Sequence, residues 1–498
     1  MNTIVSSFNN SFFLKILLAS LILISISGCD SNVRGGSQTI IEDQVDISGV
    51  TLRVNNFSGS DDADGIEVPY QSLQFALNQL RPGDTLLIER GAGPYKYLNL
   101  ENPQDQARTK QGFKLTVSGS KDLPITIKGD PVLNSIIDQE GQSIGLFLDC
   151  VSNVIIKNLE IRNTLSAGIS SAMHGGCETS NIIIQENFIH NVNGNKFVSG
   201  VRMMGVNNLV INNNQIENIT RDTSLLDTDF DFVDWGQGVS NLSIEGNIIS
   251  SVETGVIINA QGFVDNTLFT EHKESVSSLK ISDNIFRTLQ DGISFDANTP
   301  SINTNSIFKV SNFKNVDLYL NIFDDINNNV IAVDSGDTLF QSENFCVFNN
   351  TLVDSSPNFL DLIGVKNLEI YNNVLDVLDA VVLKITATEN TQLINSVTYS
   401  DYNFYANSSI LSWEMDFGGP SYEVFPALSQ WQSASRQDLI INPDLNSISS
   451  IPIFVDAEND DYRLSNQTPA SISGRDGIEV GYNFALDVDY QSNCRDDS

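Results

Sequence analysis

One phrase recurs along this chain: apolar, any residue, apolar, two of any kind, Asn, any residue, apolar. It reads IIIQENFI after Asn181, LVINNNQI after Asn208, LSIEGNII after Asn241, LKISDNIF from Leu279, VDLYLNIF from Val316, FCVFNNTL from Phe345 and LEIYNNVL from Leu368. A helix would bring apolar residues back at intervals of three and four. Here they alternate, stop and resume, which describes a strand, a corner and a second strand. Asn187, Asn214, Asn247, Asn284, Asn321, Asn350 and Asn373 occupy the corner in turn, with Leu159 of VIIKNLEI, from Val154, in the equivalent place. Asn tolerates left-handed backbone and its amide can bond from coil to coil, so the corner residue is expected to turn the chain and to form a ladder.

Successive corners lie 27, 33, 37, 37, 29 and 23 residues apart. A rigid repeat would not tolerate that scatter, but a coil with outer loops of variable length would. A third strand precedes many of the phrases: LFLD after Gly145, ISSA after Gly168, VRMM after Gly200, VIIN after Gly255, ISFD after Gly292, then VIAVD from Val330, FLDLI from Phe359 and VVLKI from Val381. Three alternating strands per turn, stacked at about 4.8 Å, give an all-β fold: a single-stranded right-handed parallel β-helix. Its open ends need cover. In YQSLQFALNQL, residues 70–80, Leu73, Leu77 and Leu80 share one helical face, and Pro82-Gly83 stops the helix before the strand Thr85-Leu86-Leu87-Ile88, so an N-terminal capping helix is expected. Trp413 and Trp431 fall in the segment expected to close the other end.

The opening PGDTLLIERGAGPY, the Asn column and the closing DYRL, TPAS and IEVGY resemble the pectate-lyase-like superfamily of β-helix proteins, over roughly residues 50–485. The resemblance implies the fold, a polysaccharide partner and a substrate path along the sheet of Gly-led strands. It does not choose among the lyases, hydrolases, epimerases and noncatalytic adhesins that the superfamily contains.

Residues 12–27, FFLKILLASLILISIS, form an apolar run short for a membrane span, with a single charge at Lys15. Ile26-Ser27-Gly28-Cys29 resembles the bacterial lipobox, which implies cleavage before Cys29, diacylglycerol on its thiol and a lipid-anchored protein of the cell envelope outside the cytoplasm; the choice of membrane stays open. The expected organisation is a signal peptide at 1–28, a lipidated linker at 29–46, the capped β-helix at 47–405 and C-terminal coils with a closing segment at 406–498. The chain sets 62 Asp plus Glu against 27 Lys plus Arg, a formal charge of −35. Such a surface repels phosphate backbones, so no nucleic-acid partner is expected, and the chain is expected to be a monomer. With Cys29 consumed by lipid, Cys150, Cys177, Cys346 and Cys494 remain in an oxidising compartment. Cys150 and Cys177 follow the Gly-led strands of successive coils and are expected to pair, whereas Cys346 with Cys494 would require the tail to run back along the solenoid. The three His and the lack of Cys-x-x-Cys argue against zinc or haem, leaving oxygen ligands for any metal.

Placing apolar residues inward on the Gly-led strands leaves Arg202, Asp231, Asn259, Ser294, Asp296, Asp334, Asp361 and Lys384 facing out. Asp296 and Asp334 would then sit on adjacent coils, able to share a cation or act as a glycosidase-like pair, with Asp361 extending a carboxylate ridge; equally, such acids keep a sheet soluble. Asp227, Asp229, Asp231 and Asp234 alternate through one stretch and offer a calcium site without EF-hand spacing, although Phe230 and Phe232 between them also read as strand core. Trp235 beside them would stack on a sugar ring or cover the core edge.

β-Elimination of an acidic glycan needs a group to neutralise the carboxylate, a base for the proton alpha to it and a proton for the leaving oxygen. Resemblance to alginate and chondroitin lyases of this fold implies basic residues on this sheet, and only Arg202 and Lys384 project from it in this register. Arg202 is expected to pair with a uronate carboxylate and His174 of the adjoining coil to accept the proton. Asn259, Asp296, Asp334, Asp361, Lys384 and Trp235 would contact substrate, with calcium as cofactor. No lyase-subfamily motif surrounds these residues, so a noncatalytic glycan-binding or adhesion protein stands beside the lyase reading. The Asn-Thr-Asp, Gly-His-Gly and Arg-x-Lys set of the fold's hydrolases is absent, which places hydrolysis third.

Overall fold

A computed structural model describes residues 49–482, apart from 98–111, 131, 133–134, 142–143, 173–178, 195–197, 204–205, 222–239, 260–275, 297–312, 335–341, 356–357, 378, 387–396, 407–409, 417–421, 435–442, 460 and 469–473. Among these residues the chain winds into a right-handed parallel β-helix with three faces. The first face is a twelve-stranded sheet running from Thr51–Val54 to Val397–Asp401, and the second an eleven-stranded sheet from Ser135–Asp138 to Ile448–Ser450. The third is described in a four-stranded part, Phe113–Leu115 to Ser199–Arg202, and a seven-stranded part from Thr254–Asn259 onward. The sheets continue past residue 405, since Ile410–Asp416 joins the third face and Ile448–Ser450 the second. Pairing is parallel throughout except where Ile410–Asp416 meets Tyr422–Phe425 and Phe454–Asp456 meets Asp461–Leu464.

Alternation places one aliphatic side chain per coil in register inside the first face: Ile127, Ile156, Ile184, Ile211, Ile244, Ile281, Leu318, Val347 and Ile370. Each full burial of such a side chain contributes about 1.5–3 kcal/mol, so this stack and its counterparts form one continuous core. Phe286 and Phe323 stack within it, 5.0 Å between centroids. Gly leads the third-face strands because backbones meet there: a Cβ on Gly168 would lie 2.7 Å from the carbonyl oxygen of Gly200, and one on Gly292 2.5 Å from that of Val330.

The corner between the first and second faces holds the amide ladder. Each Asn presents its Oδ1 to both the backbone N–H and the Nδ2 of its predecessor, as from Asn187 to Asn214 at 3.0 and 3.0 Å and from Asn373 to Asn403 at 3.1 and 3.0 Å. Asn403 therefore belongs to the column, and Leu159 fills the first place, donating its backbone N–H to Asn187. One expectation is corrected: the ladder Asn does not take the left-handed conformation. That falls one residue earlier, on Glu186, Asn213, Gly246, Asp283, Leu320, Asn349, Asn372 and Tyr402. The turn must precede the amide for the amide to point inward and reach the next coil.

At the N-terminal end, helix Leu73–Gln79 packs Leu73, Ala76 and Leu77 against the core, with Leu80 also buried. At the other end Trp413 and Trp431 stack at 5.9 Å, both buried. The ladder ends on a buried carboxylate, Asp444, which accepts from Asn403 Nδ2 (3.0 Å), Trp431 Nε1 (2.6 Å), Ser400 (2.7 Å) and Ser447 (2.6 Å). Beyond it the chain runs back along the outside. Arg475 lies over the rings of Tyr371 and Tyr399 (4.7 and 4.4 Å) and pairs with Glu369 at 2.7 Å, while the Tyr482 backbone N–H donates to Thr351.

Candidate functional site

The third face carries most of the outward residues singled out from sequence. Val256, Ile293, Ile331, Leu360, Leu383 and Trp413 succeed one another inside it, which aims the alternate residues away from the core. In backbone register one row of these alternate positions runs Asn259, Asp296, Asp334, Ile363, Thr386 and Asp416, and the neighbouring one Ile257, Ser294, Ala332, Asp361, Lys384 and Glu414; the side chains of Ile257, Asn259 and Asp296 lie outside the described ones. Asp296 and Asp334 are thus direct register partners. Asp361 is not the next member of their column, because it lies opposite Ala332. Two strand positions separate it from the Asp334 column, about 6.6 Å along the strand, so the expected single ridge of three acids is two columns.

Lys384 Nζ lies 3.0 Å from Asp361 Oδ2 on the adjacent coil. The other oxygen of Asp361, Oδ1, is buried and has no hydrogen-bond partner among the described residues. Farther along, Tyr422 donates to Glu414 at 2.5 Å, and that hydrogen bond pushes the phenol up to about 12. Arg202 ends strand Ser199–Arg202 in the four-stranded part, opposite Ser170 and half-buried. Lys114 also projects from this face and pairs with Asp149 at 2.5 Å, which corrects the expectation that only Arg202 and Lys384 do so.

His174, Asp227, Asp229, Asp231, Asp234, Trp235, Cys29 and Cys177 lie outside the described residues. Among the described residues no three His, Cys, Asp or Glu are gathered as a metal would require. Cys150 and Cys346 are each disulfide-bonded. They cannot bond each other, because six coil steps separate Ser152–Lys157 from Ser342–Phe348 on the first face, about 29 Å at the usual strand spacing. Cys494 lies outside the described residues; the tail is described as far as Tyr482, which packs in the same outer cluster as Cys346.

Two further features stand outside the expectations drawn from the sequence. A second amide stack runs along the start of the first-face strands, Asn153, Asn181, Asn208 and Asn241, with Asn181 donating to Asn153 (2.9 Å), Asn208 to Asn181 (2.8 Å) and Asn241 to Asn208 (2.9 Å). Those Asn opened the repeated phrase and were the available signal. On the second face, Arg162 joins Asp138 (2.8 Å) and Glu160 (2.7 Å), and His190 meets Glu160 at 3.3 Å. Burial pushes the Asp138 carboxyl up, but the Arg162 and Asn163 hydrogen bonds outweigh it and hold the group below its ordinary value.

No family model matches the chain, and no curated protein does. Solved structures do. A GH136 lacto-N-biosidase from Eubacterium ramulus is similar at 13% identity over 81% of this chain and 67% of its own, with a TM-score of 0.37. The pectate lyase Pel9A is similar at 13% identity over 88% and 96%, TM-score 0.39, and an alginate lyase from Paenibacillus sp. str. FPU-7 at 11% over 74% and 99%, TM-score 0.31. Identities this low leave the chemistry to the chain's own residues.

Proposed function

We propose that the chain is a lipid-anchored protein of the cell envelope, tethered through Cys29, that takes up a polysaccharide along the third face of its solenoid. Asp361 carries this reading: its carboxylate pairs with Lys384 at 3.0 Å with both side chains part-exposed on this face, which sets an acceptor beside a donor. The accessible edge of the carboxylate would accept from one sugar hydroxyl while the adjacent ammonium offers a donor to a second sugar oxygen. Coils about 4.8 Å apart repeat the outward positions along a path suited to a repeating ligand.

Cleavage by β-elimination is the second reading, favoured by Arg202 on the same face, where its guanidinium would pair with a uronate carboxylate while His174 takes the proton. Calcium at Asp227, Asp229, Asp231 and Asp234 belongs to this reading, since a divalent cation would offset the repulsion between an acidic glycan and a chain of formal charge −35.

The test incubates the detergent-solubilised full chain with alginate, pectate, chondroitin and dermatan, following both retention of the glycan and the ultraviolet absorbance of unsaturated uronyl products. Binding that disappears in Asp361→Ala and Lys384→Ala without a change in melting temperature supports the first reading, and binding indifferent to both removes it. Absorbance that is lost in Arg202→Ala, with melting unchanged, supports elimination; absorbance unaffected by that substitution moves the chemistry elsewhere.

A further inference from the structure

The second face, away from the Lys384–Asp361 pair, carries a groove of about 550 Å³ lined by Glu140, Asn163, Asn191, Asn193, Asn218 and Thr220, among others. The geometry points to a separate subsite for a neutral oligosaccharide in this groove. Asn163, Asn191 and Asn218 occupy the same position on three successive coils, in line with the pairing of Val192 with Thr164 and Ile219. All three are left-handed, at φ of 50, 55 and 55°, so the backbone presents three amides in the same orientation, one per coil. Asn193 and Thr220 form a parallel row two residues on.

The column is anchored at one end only. Asn163 donates to Asp138 at 3.0 Å and accepts from Asn191 at 3.4 Å, whereas Asn191, Asn218, Asn193 and Thr220 stand exposed. An amide offers a donor and an acceptor side by side, which matches a pair of neighbouring sugar hydroxyls. The lining argues against other ligands. Among the described residues it holds no Lys or Arg for a phosphate or uronate and no aromatic ring for an apolar molecule. The one carboxylate among the described lining residues, Glu140, is paired with Lys96, so those residues offer no set of acids for a divalent cation. A neutral, hydroxyl-rich chain with a repeat near the coil spacing is what remains, and the fixed backbone lowers the cost of ordering the contacts.

The test titrates the detergent-solubilised full chain calorimetrically with cellohexaose, xylohexaose and mannohexaose, with a galacturonate hexamer as the charged control. The double substitution Asn191→Gly, Asn218→Gly removes both amides and keeps the left-handed backbone unstrained; Asn193→Ala, Thr220→Ala is a second variant at the parallel row. Binding of at least one neutral hexamer, weakened tenfold or more by each double variant, is the expected result. Absence of binding by all three neutral hexamers, or binding indifferent to both double variants, overturns the subsite. A preference for the galacturonate hexamer that both double variants abolish would overturn the assignment to neutral sugars.

Discussion

Replacing Asn284 by Leu tests the ladder at its centre. Asn284 is fully buried, and its Oδ1 accepts the backbone N–H and the Nδ2 of Asn247, at 3.0 and 2.9 Å. Its own Nδ2 donates to the carbonyls of Ile244 and Ser282, both at 2.9 Å, and to Asn321 Oδ1 at 3.0 Å. Leu keeps the branched outline and heavy-atom count in a larger volume and removes these five bonds. Asn247 Nδ2 still reaches Ile211 and Glu245, and Asn321 Oδ1 still accepts the Asn284 backbone N–H, so those groups stay satisfied. The Asn247 backbone N–H has no substitute acceptor within the ladder. One orphaned buried N–H costs about 1–3 kcal/mol, and the lost bonds to the two carbonyls add about 0.5–1.5 kcal/mol each, giving a loss of about 2–5 kcal/mol after some gain from the apolar side chain. Unfolding of roughly 430 residues as one unit carries an entropy of about 0.9 kcal/mol per kelvin, so the melting temperature should fall by about 2–5 °C in scanning calorimetry. A melting temperature within half a degree or so of the parent, on the same scale, would refute the claim that the column is structural.

Asp283, next to Asn284 in the left-handed place, is pushed up to about 6, first by burial and then by the Glu245 carboxylate. The folded state thus holds its proton more tightly than the unfolded chain, so the acid costs stability as the pH rises from about 4 towards 6; Asp283→Asn should raise the melting temperature above about pH 7 and leave it unchanged below about pH 4, and the same gain at both ends would contradict this. Mass spectrometry of unreduced peptides should recover Cys150 joined to Cys177 and Cys346 joined to Cys494; a Cys150 that alkylates without reduction rejects the first pair. Calcium should raise the melting temperature if the acids at 227–234 hold it, because a ligand that binds only the folded state stabilises it by mass action, and equal values in calcium and in chelator leave those acids a solubilising role.

The coils could be read from the sequence because period-two alternation and the recurrent Asn are local patterns, and a strand buried on one face must show them. The left-handed turn could not. Glu, Asn, Gly, Asp, Leu and Tyr all occupy it along the ladder, so no residue type marks the position; what fixes it is the need to aim the following amide inward. The returning tail was equally hidden. Arg475 sits between Tyr371 and Tyr399 although about a hundred residues separate it from the first, and nothing in a linear pattern joins a late Arg to outward aromatics on an earlier coil.

The site was legible in direction but not in register. Alternation correctly turned Asp334, Asp361 and Lys384 outward, but VIAVD and FLDLI carry their acids in the fifth and the third place. Aligning the acids with each other, instead of the apolar residues, slides one strand by two positions, and a two-residue slide keeps every side chain on the same face, so the inward pattern gives no warning. The structure aligns Ile331 with Leu360 and Val333 with Leu362, which moves Asp361 beside Lys384 and away from Asp334. That displacement changes the chemistry on offer. Asp334 with Asp361 would have been a two-carboxylate arrangement suited to a cation, whereas Asp361 with Lys384 at 3.0 Å places a donor and an acceptor side by side, the arrangement that hydrogen-bonds hydroxyl groups. Of the three acids expected to form the ridge, a shared cation can then draw on Asp334 and its register partner Asp296, and the Asp361 substitution separates the two arrangements: it removes hydroxyl recognition and leaves that pair intact.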